Sequence, residues 1–259
     1  VGGGHSHGTS GALYLHGHTW VHRLPAHVKI VAMLAFVLVV ITTRPTMRWT
    51  FLVYALLLVA VAAMARIPAT TVLRRMTVEI PFVFFAVLMP FVSPGETVEV
   101  LGMQLSVPGL EAAFAILVKA TLGVIAAIIL AATTTPHDLI LGLQRLRMPE
   151  LIVQIAAFMI RYAEVITGEM RRMSVARQSR CFEATGPASW KVLGQSAGAL
   201  FIRSYERGER VHLAMLSRGF QGTLPFSGDA HAVPAQWAGA LALPAAAAAV
   251  LLISWTVTG

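Results

Sequence analysis

The stretch LEAAFAILVKATLGVIAAIILAA, residues 110–132, holds only two charges, Glu111 and Lys119. A helix that crosses the hydrocarbon core of a bilayer needs roughly 20 predominantly apolar residues, so this stretch reads as a membrane span. A second stretch of that length, residues 235–257, has no charge at all. Shorter apolar windows lie at residues 28–43, 51–65 and 80–92. The first two reach span length with one more turn at either end. Pro81 and Pro90 mark the third as a short, tilted or re-entrant element. The whole composition agrees: 259 residues, 56% hydrophobic, 12% charged, with a mean hydropathy of +0.71. A soluble domain carries about twice that charge fraction. The expected class is all-α, a polytopic membrane protein with about five membrane elements.

Basic residues orient these elements. Residues 93–108 hold Glu96 and Glu99 and no Lys or Arg, whereas residues 66–79 hold Arg66, Arg74 and Arg75. By the positive-inside rule the first segment is external and the second cytoplasmic. That alternation puts Arg23 and Lys29 inside and the C-terminus outside. Residues 133–234, with 12 of the 20 Lys and Arg, also fall inside. Arg44 and Arg48, in the first external turn, run against the rule. Seventeen Arg to three Lys suits a GC-rich bacterial genome, and the cytoplasmic membrane of a bacterium is the expected location. Cys181 is the single cysteine, which excludes an intrachain disulfide and a Cys-based metal site. No small-residue cleavage site follows the first window, so it is expected to be a retained anchor.

The long cytoplasmic segment is the working part. Thr135-Pro136-His137-Asp138 is a helix start, with Thr as N-cap, Pro in the first turn and Asp near the positive end of the dipole. Leu139, Leu143 and Leu146 share one side of a short helix that Pro149 ends. From Glu150 to about Arg180 a long helix follows. Leu151, Ile155, Phe158, Tyr162, Val165, Glu169 and Met173 recur at helical spacing, apolar at all but Glu169. A turn around Gly186-Pro187 brings back a second helix of similar length, from about Trp190 to Arg218. Arg161 and Glu164 interrupt the apolar face of the first helix. A charge at a span centre costs roughly 2.5–3.5 kcal/mol. Both helices are therefore expected to be amphipathic, along the cytoplasmic face, with their Arg-bearing ends aimed away from the membrane.

Those ends repeat. Ser179-Arg180-Cys181-Phe182 and Ser217-Arg218-Gly219-Phe220 stand 38 residues apart. Upstream lie Arg161-Tyr162-Ala163-Glu164 and Arg203-Ser204-Tyr205-Glu206, with Glu-to-Arg spacings of 16 and 12 residues. The difference is about one helical turn. An Arg at a helix C-terminus is favoured by the dipole, and its planar guanidinium holds a carboxylate in two parallel hydrogen bonds. A small preceding residue allows close approach, and Gly219 supplies the left-handed residue that ends a helix. The residues by themselves leave two readings open: a paired docking element for a soluble partner, or two ordinary C-caps with surface arginines.

The triplets Ser179-Arg180-Cys181 and Ser217-Arg218-Gly219 resemble the paired Ala-Arg-Gly motifs of the transmembrane T component of energy-coupling factor (ECF) transporters, cobalt/nickel type. His22-Arg23-Leu24-Pro25, Phe158-Met159-Ile160-Arg161-Tyr162 and the runs from Arg203 to Arg210 and from Ala214 to Gly222 extend the resemblance over nearly the whole chain. It implies a non-enzymatic subunit whose long cytoplasmic helices couple two ATP-binding-cassette ATPase subunits to a substrate-binding membrane S component. ATP and Mg are then bound by the partner ATPases, with no cofactor in this chain. Arg180 and Arg218 are implied to sit in grooves on the two ATPases, and the transported ion to be cobalt or nickel. The alternative is a conventional ATP-binding-cassette permease with its own translocation path. Ser stands for Ala in both triplets and Cys181 for Gly in the first. A left-handed non-Gly residue costs roughly 1–2 kcal/mol, so the first helix is expected to end differently from the second.

The absences point the same way. There is no P-loop, no HExxH and no GxSxG, and Asp138 and Asp229 are the only aspartates. No nucleic-acid partner is expected; besides its protein partners the chain meets the lipid bilayer. His5, His7, His16 and His18 crowd a Gly- and Ser-containing N-terminal tract. Such a tract suits Ni²⁺, Co²⁺ or Zn²⁺ as a local buffer, or is a plain tail with incidental affinity. Lys119 is expected to snorkel or pair with a neighbouring helix, and Glu79 to start a helix at the interface. The expected organisation is a His-rich tail over residues 1–27 and a membrane domain over 28–134. A coupling-helix domain over 135–233 and a C-terminal transmembrane helix over 234–259 complete it.

Overall fold

The computed structural model describes residues 14, 15, 17, 19–100, 103–180, 182, 186, 188–222 and 232–258. The tail histidines His5, His7, His16 and His18, and Cys181, lie outside the described residues. The chain divides into two compact units, one containing Leu143–Gly228 and the other Leu13–Gly142 with Asp229–Gly259.

The larger unit is a helical membrane bundle. A single turn, α1 (Trp20–Arg23), precedes α2 (Ala26–Thr42) and α3 (Arg48–Met64). Helix α4 (Ala69–Arg75) passes through a 3₁₀ turn (Met76–Glu79) into α5 (Ile80–Val92). Strands β1 (Thr97–Val100) and β2 (Met103–Ser106) pair antiparallel with Thr97 opposite Ser106. Then come α6 (Val107–Thr133) and the first turns of α7 (Pro136–Arg145); α10 (Pro234–Thr258) closes the unit. Two details differ from expectation. The third membrane element is not a short window: Ala69–Val92 is long and apolar enough to cross a membrane, because the helix starts upstream, after Pro68, and carries Arg74 and Arg75. The segment before α6 is a hairpin rather than a loop. Val107–Thr133 and Pro234–Thr256 also have the length and composition of spans, with α2 and α3 as shorter apolar helices.

Small residues let these helices approach. A Cβ on Gly109 of α6 would lie 2.7 Å from the Met89 carbonyl oxygen and from Pro90 Cα of α5. One on Gly239 of α10 would strike the Trp20 ring. Lipid tails are as apolar as the helices, so close packing rather than hydrophobic transfer holds such contacts. The core carries a chain of edge-to-face rings, Phe36–Tyr54, Tyr54–Phe51 and Phe51–Phe114, that joins α2, α3 and α6. Tyr54 is fully buried, with its hydroxyl 3.1 Å from Thr43 Oγ1.

The ends of the helices sort as the alternation requires. Lys29 Nζ of α2 donates to the Thr133 carbonyl at 2.7 Å, and His27 meets Trp237 of α10 edge-on. The starts of α2 and α10 and the end of α6 therefore share one end of the bundle. At the other end, Arg44 lies over Trp255 and Arg48 over Phe114. Lys119 Nζ donates to the Ile41 carbonyl at 2.7 Å, the pairing with a neighbouring helix that was expected. Glu79 is buried at the 3₁₀ turn and accepts a hydrogen bond from Thr121 Oγ1, well along α6, rather than sitting at an interface.

Candidate functional site: an arginine-ended helix pair

The other unit consists chiefly of α8 (Glu150–Gln178) and α9 (Ala188–Leu216), each 29 residues long. Both boundaries of α9 fall 38 residues after those of α8, so the triplet repeat of the sequence is a repeat of whole helices. Before them, Thr135 caps α7 as its sequence predicts. Its Oγ1 accepts from the Asp138 N–H at 3.1 Å and donates to Asp138 Oδ2 at 2.7 Å.

The two long helices run antiparallel. Glu169 of α8 meets Arg203 of α9, and Arg177 Nη1 donates to Ser196 Oγ at 2.7 Å nearer the turn. At the other end Gln154 donates to the Gly222 carbonyl. Glu169 is the centre of this packing: Oε2 accepts from Arg172 Nη2 at 2.7 Å and Oε1 from Arg203 Nη1 at 2.8 Å. Its side chain is 18% exposed, against 70% and 59% for the two arginines. Beside it a groove of about 210 Å³ is lined by Phe158, Tyr162 and Val165 of α8 and by Leu200, Ser204 and Gly208 of α9. The single charge on the apolar stripe of α8 is thus answered by a cation from the facing helix. The stripe is only half used: Leu151 and Ile155, its first members, are 68% and 51% exposed.

The helix ends carry the repeated triplets. At the end of α9 the Phe220 N–H bonds to the Met215 carbonyl at 3.0 Å and the Gly219 N–H to the Leu216 carbonyl at 3.0 Å. With Gly219 at φ +83°, this is a Schellman cap. At the end of α8 the Phe182 N–H reaches back to the Arg177 carbonyl at 3.2 Å, the same six-residue closure. The Arg180 and Arg218 N–H groups bond three residues back in both copies, each at 3.0 Å. The expectation that the first helix ends differently concerns Cys181, which lies outside the described residues; the Arg180 and Phe182 bonds on either side of it match those of Arg218 and Phe220. Ser179 Oγ and Ser217 Oγ fold back onto carbonyls of their own helices, at 3.0 Å each, and leave the rim low. Arg180 and Arg218 are exposed, and neither has an ion pair or side-chain hydrogen bond among the described residues.

The second helix comes back along the first, as expected, so the two C-terminal ends lie at opposite ends of the pair. Gln154 sits beside Gly222, and Arg180 lies 26 residues further along α8. At about 1.5 Å per residue the two arginines stand roughly 40 Å apart. Helix α8 also differs from expectation in composition. From Leu151 to Gly168 it holds only the charges Arg161 and Glu164, which makes it long and apolar enough to cross a membrane.

The described residues thus form a multi-pass helical chain that carries two arginine-ended helices as one hairpin. Residues 17–228 match the family described as cobalt transport protein, CbiQ, and the chain belongs to that family. It is similar to an uncharacterized protein of Methanocaldococcus jannaschii, 26% identical over 213 residues, which are 79% of this chain and 72% of that protein. It is also similar to the energy-coupling factor transporter transmembrane protein EcfT of Listeria innocua, 25% identical over 237 residues, 81% of this chain and 83% of that one. The cobalt transport protein CbiQ of Rhodobacter capsulatus is 28% identical over 123 residues, 48% of this chain and 50% of that protein. The chain is accordingly a non-catalytic transmembrane component of an ECF-type transporter in the cell membrane.

Proposed function

We propose that this chain couples ATP hydrolysis to import, with Arg180 and Arg218 as the two points of attachment to a pair of ATP-binding-cassette ATPase subunits. The observation that carries the reading is the match between the two helix ends: equal helix lengths, the same Arg and Phe closing bonds, and at each an exposed arginine that is unpaired among the described residues. A guanidinium held past a capped helix end has all its N–H donors free for carboxylates in an acidic groove. ATP and Mg belong to the ATPases. When nucleotide closes that pair, the two attachment points are displaced and the hairpin moves with them. Exposed apolar residues on the hairpin, among them Met159, Phe201 and Ile202, support a second contact, with a substrate-binding membrane subunit. Cobalt or nickel is the proposed cargo, on the strength of the family description.

The test is ATPase co-purification and metal uptake for Arg180→Glu, Arg218→Glu and the double variant at matched expression. Each single variant weakens retention, and the double variant nearly abolishes it. Arg→Lys is intermediate, because Lys keeps the charge and loses the planar fork. Arg171→Glu serves as the control, since Arg172 is engaged with Glu169. A double variant that retains its ATPases and transports normally would reduce the arginines to helix caps.

A further inference from the structure

Arg44 and Arg48, the two basic residues that break the positive-inside pattern, share one end of the membrane bundle and are held in the same way. The Arg44 guanidinium carbon lies 5.8 Å from the ring centre of Trp255 on α10, and that of Arg48 lies 5.5 Å from the ring centre of Phe114 on α6. Phe114 is itself wedged against Phe51 and so is tied to the core. Both arginines are exposed, and no carboxylate among the described residues pairs with either, Glu96 and Glu111 included. A guanidinium attracted to an aromatic ring keeps its in-plane N–H donors free, and those match the spacing of phosphate oxygens. Trp49 and Trp255, 46% and 49% exposed, stand beside them on the rim. Indoles of this kind settle at headgroup depth in a bilayer. Two ring-seated cations at headgroup depth, without a carboxylate partner among the described residues, face one abundant anion, the lipid phosphate.

We propose that this rim binds the headgroup phosphates of anionic phospholipids, with Arg44 and Arg48 as the donors and Trp255 and Phe114 as the platforms that orient them. The site is independent of the ATPase attachment points. The experiment uses the purified full chain in nanodiscs of equal phosphatidylglycerol and phosphatidylcholine, followed by graded detergent delipidation and mass spectrometry of the retained lipid. Wild type keeps phosphatidylglycerol over phosphatidylcholine. Arg44→Gln/Arg48→Gln lowers that retention by roughly 30-fold, taking about 1 kcal/mol for each basic residue near an anionic surface. Arg74→Gln, on a different helix, leaves it unchanged. Arg44→Lys/Arg48→Lys, which keeps the fold and the charge, falls between. Equal retention of the two lipids by wild type, or wild-type preference in the Gln and Lys variants, overturns the proposal. So does inorganic phosphate at 10 mM (about the strength of a phosphate buffer) if it displaces the lipid completely, because a free anion would then be the ligand.

Discussion

If Arg180 and Arg218 each enter a separate ATPase subunit, their contributions to binding must add. Removing one partner of a buried, hydrogen-bonded charge pair costs about 2–5 kcal/mol. At about 1.4 kcal/mol per factor of ten, each Arg→Ala change weakens binding by roughly 30-fold to several thousand-fold. The antiparallel hairpin sets the two side chains roughly 40 Å apart, several times the Debye length of about 8 Å at physiological salt. Sites further apart than about 7–10 Å with no shared partner add to within roughly 0.5 kcal/mol. The assay is interferometry on the nanodisc-held chain, titrated with the purified ATPase pair at physiological salt, for wild type, both single variants and the double variant. The expected double-mutant coupling energy is zero within about 0.5 kcal/mol. A double variant no weaker than the weaker single would place both arginines in one shared contact. Single variants within about twofold of wild type would refute docking altogether.

Three further outcomes follow from the geometry. Glu169→Gln removes both ion pairs at the centre of the hairpin, so it is expected to leave ATPase retention intact and lower uptake several-fold; undiminished uptake would show that α8 and α9 need no such tie. Gly109→Ala places a methyl group 2.7 Å from backbone atoms of α5. Overpacking of that kind costs about 1–3 kcal/mol, and the purified protein should melt at a lower temperature; an unchanged melting curve would contradict the α5–α6 contact. In a Cys181→Ser background, a cysteine at Glu96 should react with a membrane-impermeant thiol reagent in intact cells and one at Trp190 only after permeabilisation; the reverse pattern would invert the topology.

Periodicity and end signals made much of this chain legible. The two longest apolar runs became α6 and α10, Thr135 and Asp138 announced α7, and Gly219 marked the end of α9. The third membrane element was misjudged because Arg74 and Arg75 cut its apolar window, although neither residue breaks a helix. The hairpin after it is written in the alternation of Val98 and Val100, and of Met103 and Leu105. It is short and lies between the apolar windows. In the site, the arginine ends could be read, whereas the Glu169–Arg203 pair could not, because its members are 34 residues apart. Glu169 stood out as a charge on an apolar stripe, a signal that a partner exists without saying where. The antiparallel sense of the hairpin, which decides how far apart the arginines stand, was legible in the short connection between the two helices.

Two helices of equal length, related by a constant offset and packed head to tail, are exchanged by a half-turn about an axis across their midpoint. That operation carries Arg180 onto Arg218 and the Phe182 closing bond onto that of Phe220. Closed pairs of identical subunits are commonly built on the same operation. A dimer of one partner can therefore straddle the hairpin so that each copy meets an equivalent rim. The symmetry is approximate: under it the Glu169–Arg203 bridge would fall on Val165 and Arg207, which form no ion pair. Cys181 would likewise fall on Gly219. Two arginine ends of one design thus stand in unequal surroundings.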